Sequence, residues 1–257
     1  MKLCIRALFV IYLALTATQA RADHHESQAA ALPENRFAAI NLCHLNEGKT
    51  MADVARLNKK WFAWTKSENM EPFSLLLTPF VTASSRANPG YDFIEIINND
   101  YETGGRLWQA ALRSKKGQAL DEEWRDITTC YTRINHLVFK YMDQAALSAA
   151  DERIVTFNRC EIREGVTGDQ MRAVHQRGLD RRNEQSTNIF WGLLLPAAGG
   201  PRGEFRHMMT YPDFPAYTAS LSNSLAGSAF RREYNTHYAQ CDGPSVWVGR
   251  VQHRPGG

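Results

Sequence analysis

The stretch CHLNEGKT, Cys43 to Thr50, returns as CEIREGVT, Cys160 to Thr167. The cysteine, the Glu-Gly pair and the threonine keep their order and their gaps at an offset of 117 residues. The same offset sets Asn41 on Asn158, Leu76 on Leu193, Leu77 on Leu194 and Pro79 on Pro196. Further on the second copy is shorter. DFIEII (Asp92 to Ile97) aligns with EFRHMM (Glu204 to Met209) at an offset of 112, and Cys130 with Cys241 at 111. One such match is chance; an ordered series of them is an internal duplication.

Each copy spells the same series of elements. FAAINLCHL and IVTFNRCEI have the β-branched, alternating content of strands. Glu-Gly then turns the chain, with Gly free to take positive φ. Thr50 and Thr167 stand as N-caps, with Asp53 and Gln170 three residues on, the spacing of a capping box. Met51, Val54, Leu57, Trp61 and Phe62 in one copy, and Met171, Val174 and Leu179 in the other, follow at helical spacing. Two strands come next, separated by ANPG or GGPRG. A helical region spans about Thr103 to Ile127 and about Phe214 to Tyr238, and a last strand holds INHLVFKY or SVWVGRV. The order β-α-β-β-α-β is the ferredoxin-like unit. The expected class is α+β, with one repeat over 37–142 and a second over 153–252.

This element order, written twice, resembles the dimeric α/β-barrel superfamily. Its members include antibiotic-biosynthesis-type monooxygenases, muconolactone isomerase-like proteins and, as fused tandem forms, chlorite dismutase-like haem proteins. The resemblance covers about residues 37–251. It implies two sheets meeting face to face around a ligand cavity, closed here within one chain as a monomer with an internal pseudo-dimer. It implies no catalytic residue, because no catalytic motif of those families is visible. Two independent domains in a row would be the other outcome of the duplication.

The chain opens with MKLCIR and the apolar run ALFVIYLALTAT, too short to span a bilayer comfortably. Ala20-Arg21-Ala22 follows as an A-x-A cleavage site, so residues 1–22 read as a secretory signal peptide; an uncleaved anchor is the alternative. Residues 23–36 read as a flexible lead-in. The mature chain is expected to be secreted or periplasmic, with no membrane span after cleavage. The full sequence has 30 basic and 27 acidic side chains, well mixed, for a net charge of +3, which is not the footprint of a nucleic-acid binder.

The mature chain holds four cysteines, one ending the first strand and one just before the last strand of each copy. In a ferredoxin-like sheet those strands are antiparallel neighbours, within disulfide reach. Four cysteines allow three pairings, and the repeat symmetry selects Cys43–Cys130 and Cys160–Cys241. Metal-binding thiolates are the alternative, without a C-x-x-C spacing to favour them.

On the two offsets His44 matches Glu161 and Glu95 matches His207, so each copy brings one His and one Glu to its central strands. His44 alternates with Leu42 and Ile40, and Glu161 with Arg159 and Phe157. If that face lines the barrel, His44, Glu95, Arg159, Glu161 and His207 form the polar side of one ligand cavity. Two His and two carboxylates would also suit a divalent metal. His175, at the position of Asn58, reads as a histidine at the core edge, or as a haem ligand or acid/base in view of the tandem haem proteins. Cleavage after Ala22 would leave Asp-His-His at the new terminus. His25 in third place would complete a square-planar nitrogen set for Cu(II) or Ni(II). Cys-x-x-Cys-His is absent, so covalent haem is not expected. No G-x-S-x-G, H-E-x-x-H, phosphate-loop or dinucleotide pattern occurs, and the sequence leaves the cofactor unknown. Three functions remain: a small-molecule-binding barrel, a monooxygenase- or isomerase-like enzyme using cavity His and Glu for proton transfer, and a structural or partner-binding protein.

Overall fold

Both Glu-Gly turns form as their sequence dictates. Gly48 (φ 72°) and Gly165 (φ 79°) take the left-handed conformation, which costs a glycine little. Thr50 then receives Asp53 on its backbone N–H at 2.9 Å, and Thr167 receives Gln170 at 2.8 Å, so each following helix starts from a capping box. The computed structural model describes residues 32, 34, 36–82, 90–182, 186–224 and 228–256. The expected signal peptide and His25 lie outside them.

The first copy runs β1 (Arg36–Leu45), α1 (Met51–Ser67), β2 (Phe73–Val81), β3 (Phe93–Asn99), α2 (Tyr101–Arg113), α3 (Lys115–Ile127) and β4 (Thr128–Met142). A short α4 (Gln144–Ala149) leads to the second copy: β5 (Glu152–Ile162), α5 (Gly168–Asp180), β6 (Phe190–Ala198), β7 (Glu204–Tyr211), α6 (Phe214–Ser224), α7 (Ala229–His237), β8 (Ala239–Cys241) and β9 (Ser245–His253). The helical region expected as one piece in the first copy breaks at Ser114. This residue leaves helical geometry (ψ 144°) and caps α3 by accepting from Gly117 N–H at 2.9 Å. Where the first copy has one long last strand, the second has two pieces. The break falls at Gly243-Pro244, and proline has no N–H for a ladder.

The strands run β7-β6-β4-β1-β3-β2-β9-β5, and β5 pairs back onto β7, so eight antiparallel strands close a barrel. Each copy contributes four neighbours, β4-β1-β3-β2 and β9-β5-β7-β6. The seams between copies are β4–β6, from Ile134 to Met142, and β2–β9, from Ser74 to Val81. The chain is therefore two ferredoxin-like repeats forming one pseudo-dimeric α/β barrel.

Alternation along the strands sorts most of the core into three parts, beside a small cluster of Ile154, Tyr211 and Val246. The barrel interior is apolar and drawn from both copies, including Ile40, Leu77, Ile94 and Leu137 with Phe157, Leu194, Met208 and Trp247. Outside the first sheet, Val54, Leu57 and Trp64 of α1 and Leu107 and Leu120 of α2 and α3 pack on Phe93 and Cys43. Outside the second, Met171 and Val174 of α5 and Tyr234 of α7 pack on Phe205 and Trp191. Both expected disulfides are present. Cys43–Cys130 and Cys160–Cys241 join residues directly opposite each other on β1/β4 and β5/β8.

Candidate functional sites

The register of the sheet matches the two copies residue by residue. Glu95 lies opposite Asn41 on β1 and Leu76 on β2; His207 lies opposite Asn158 on β5 and Leu193 on β6. Glu95 and His207 are thus equivalent positions, as the 112 offset implied. Phe93, two residues before Glu95, and Phe205, two before His207, belong to the cores under the helices, while Ile94 and Met208 face the barrel interior. Glu95 and His207 therefore point outward, each beneath its own helices. Two separate clefts result, one per copy, in place of the single barrel cavity expected from the sequence.

The first cleft holds about 440 Å³ between the β1–β4 sheet and α1–α3. Its walls are apolar: Trp61, Trp108, Trp124, Leu107 and Leu112, with Glu95 at the floor. Glu95 is 3% exposed. Its Oε1 accepts from Asn58 Nδ2 at 3.0 Å and from Ser74 Oγ at 3.3 Å. Its Oε2 has only Asn41 Nδ2 at 3.5 Å, and Asn41 is held in turn by Thr132 at 2.8 Å. No cation pairs with Glu95 among the described residues. Burial raises its pKa above the usual carboxylate value, against the pull of Asn41, Ser74 and Asn58. A second feature of this cleft is Trp61, whose indole Nε1 is buried with no hydrogen-bond partner among the described residues. A buried donor left unpaired costs about 1–3 kcal/mol.

The second cleft, about 500 Å³, lies between the β5–β7 sheet and α5–α7. On its floor His175 and His207 face one phenol: Tyr234 Oη is 2.9 Å from His175 Nε2 and 3.1 Å from His207 Nε2. The donors are ordered by Trp191, whose Nε1–H can only donate and does so to His207 Nδ1 at 3.0 Å. A neutral His207 must then carry its proton on Nε2 and donate it to Tyr234. Tyr234 in turn donates to Nε2 of His175, which is protonated on Nδ1. Both imidazoles are kept neutral. Burial, then Lys140, lowers His175 to about 4. Burial, then His175 and Lys140, lowers His207 to about 3. Burial raises Tyr234 above its ordinary value.

Both folded pKa values lie below the ordinary 6.5. The stability these rings contribute is complete above 6.5 and is lost as pH falls through about 4 and 3, because the unfolded chain binds protons first. Melting temperature should therefore fall steeply below pH 6.5. His175→Gln, which keeps a polar group for Tyr234 and removes one titration, should flatten that acid limb. Superimposable acid limbs in the two proteins would contradict the neutral pair.

The other residues singled out from sequence lie elsewhere. Neighbours all run antiparallel, so β1 and β5, four strands apart, run the same way and end at the same mouth of the barrel. His44 stands there half-exposed, 3.8 Å from Asp92 and against the ring of Tyr91. Arg159 is at the same mouth, bonded to Glu204 and 3.5 Å from Asp242, and Glu161 is exposed beside it. The expected divalent site does not assemble, because Glu95 and His207 face outward from opposite sides of the barrel and His44 and Glu161 sit at its rim. The His and Cys atoms that do converge, within 4.8 Å, are those of Cys160, Cys241 and His207. There the two sulfurs are bonded to each other, which leaves no thiolate. Haem also fits poorly. Nε2 of His175 is taken by Tyr234, both ring nitrogens of His207 are engaged, and the rings are 4% and 9% exposed.

No family model matches the chain, and no curated protein matches it in sequence. Solved structures do match in fold. A protein of Lactobacillus acidophilus named as a monooxygenase is 12% identical, with 85% of this chain and 94% of that one covered at a TM-score of 0.53. An anthrone oxidase-like protein is 11% identical, with 85% and 92% covered at 0.51. A dye-decolorizing peroxidase from Bacteroides thetaiotaomicron is 8% identical, with 87% and 94% covered at 0.50. At these identities the likeness is one of fold, and it agrees with the dimeric α/β-barrel architecture.

Proposed function

We propose that the first cleft binds a flat, largely apolar aromatic molecule carrying a carbonyl or hydroxyl group, and that Glu95 exchanges a proton with it. The observation that carries this reading is Glu95 itself: a carboxyl at the floor of a tryptophan-lined cleft, without a cation and with one oxygen barely bonded. A carboxyl whose pKa is raised above its ordinary value by burial is suited to general acid–base work. The free N–H of Trp61 would meet the ligand's oxygen, removing the cost of that unpaired donor. A cleft of this volume is in the ordinary range for small-molecule sites.

The chemistry that follows is removal, by ionised Glu95, of a proton from a carbon next to the carbonyl or conjugated with it. The resulting enolate either takes the proton back at another carbon, an isomerisation, or reacts with dioxygen. Anthrone serves as a probe of the second route, since one anthrone and one O₂ give one anthraquinone and one water. The fold likeness to proteins named as a monooxygenase and an anthrone oxidase-like protein supports choosing that probe. The two disulfides support placing the protein in an oxidising compartment, in keeping with an exported chain.

Anthrone should quench the fluorescence of Trp61, Trp108 and Trp124 and drive oxygen uptake. Glu95→Gln should keep the quenching and cut turnover by about 10²–10⁴-fold. Ala111→Trp, which fills the cleft, should remove both. Equal turnover in wild type and Glu95→Gln defeats the acid–base role, and full quenching in Ala111→Trp defeats the site. Quenching without oxygen uptake by the wild type would leave a binding protein.

A further inference from the structure

The residues at the barrel mouth have no place in either cleft. Cross-strand partners share a face, so Arg133, opposite Ile40, and Arg206, opposite Leu194, both point into the barrel. Arg159 lies opposite Arg206 and shares that face. The duplication shows how unusual this is. At the positions of Arg159 and Arg206 the first copy carries Leu42 and Ile94, both part of the apolar interior. The second copy has thus put two guanidiniums where the first places hydrocarbon, and Arg133 of the first copy joins them.

Glu204, Asp242 and Glu161 all act on the charge of Arg159, and the cation left without such a partner among the described residues is Arg133. Glu204 accepts from Arg159 and, at 3.4 Å, from Arg206. Asp242 reaches only the outer side of Arg159, at 3.5 Å. Arg133 has no carboxylate within ion-pair distance among the described residues. Its Nε is buried with no hydrogen-bond partner, and its guanidinium rests over the ring of Tyr131. Arg206 is held below its ordinary pKa, first by burial and next by Arg133; Glu204 offsets this in part, and Arg159 adds to it. A guanidinium with a buried unpaired donor beside a like charge is costly unless a counter-charge joins it.

We propose that the barrel mouth is an oxyanion site, in which Arg133 of the first copy and Arg159 and Arg206 of the second hold a phosphate, sulfate or carboxylate group between them. A guanidinium presents a planar fork that matches these groups in two-point contact. Tyr91, which lies near enough to Arg206 to act on its charge, and His44 beside it would border the anion. Because the arginines come from both copies, the bound anion ties the repeats together and stabilises the closed barrel by mass action.

The test uses the full mature chain and inorganic phosphate, with sodium chloride at matched ionic strength as the reference. Sulfate and acetate form separate arms to rank tetrahedral against carboxylate anions. The melting temperature should rise by about 5 °C at a hundredfold excess of phosphate over its Kd, while chloride gives no comparable rise. Arg133→Gln should abolish the rise. Without phosphate it should melt no lower than wild type, because it removes a repelling charge. The Nε–H resonance of Arg133 should shift on adding phosphate. An equal rise in Arg133→Gln, no rise over chloride with any of the three anions, or an unmoved Arg133 resonance would overturn the site.

Discussion

Expressed separately, Phe37–Tyr141 and Arg153–Gly257 are expected to aggregate or to pair with themselves, and to recover a one-to-one complex when refolded together. The reason lies in the two seams. Without the second copy, β2 and β4 become open edges with unpaired ladders, and without the first, β6 and β9 do. The inner faces are exposed as well. The first half would give up the cover over Ala38, Ile40, Leu75, Leu77, Ile94, Ile96 and Leu137. The second would expose Val155, Phe157, Phe190, Leu194, Met208, Trp247 and Val251. At roughly 1.5–3 kcal/mol for each large side chain, the loss is on the order of 10 kcal/mol per half. That is as large as the whole stability of a typical domain. Each half keeps its own disulfide, so the bridges do not explain the failure. Light scattering and thermal melts decide it: a monodisperse, cooperatively melting monomer from either half would mean that the halves do not depend on the shared interior.

The parts of this fold that sequence reveals are those encoded locally or repeated. The capping boxes need only residues three apart, and the disulfides needed only the repeat symmetry and the strand order. The position of the sites was hidden for a physical reason. In this barrel both faces of a central strand are buried, one in the shared interior and one under helices. Phe93, Ile94, Glu95 and Ile96 are all buried in a row, so alternation does not say which face Glu95 takes. The offsets made His175 the counterpart of Asn58 and His207 that of Glu95, but that these positions meet beneath the helices was not legible; it appears only in the fold, where Asn58 bonds to Glu95. Tyr234, which joins the two histidines, was not legible either. It sits on α7, after a stretch where the copies differ in length, and no offset placed it. The breaks at Ser114 and at Gly243-Pro244 span one to three residues inside otherwise periodic segments, and periodicity averages over them.

The remaining large effect concerns the bridges, whose consequences should differ between the copies. They close loops with separations of 87 and 81 residues, each worth about 4.5 kcal/mol in the loop-entropy account. Cys43→Ala with Cys130→Ala, or Cys160→Ala with Cys241→Ala, should therefore lower the melting temperature by about 10 °C or more. Alanine is the cleaner replacement because Cys43 and Cys160 are fully buried, where a serine hydroxyl would need a partner. Without its bridge the first copy still has β1 and β4 paired continuously from Arg36 to Leu45. The second does not. β8 is held to β5 through three opposed pairs, Cys160 to Cys241, Glu161 to Gln240 and Ile162 to Ala239. It follows directly on α7, which carries Tyr234. Loss of this bridge should free β8, loosen α7 and withdraw the phenol that separates the two histidines. Hydrogen exchange should then show faster exchange in α7 and β8 for the second variant, and no comparable local change in α3 and β4 for the first. The pKa of His207 should rise toward its ordinary value only in the second variant, as water reaches the cleft floor. Uniform protection in both variants would mean that the bridge stabilises the chain through its unfolded state alone and has no part in holding the second cleft together.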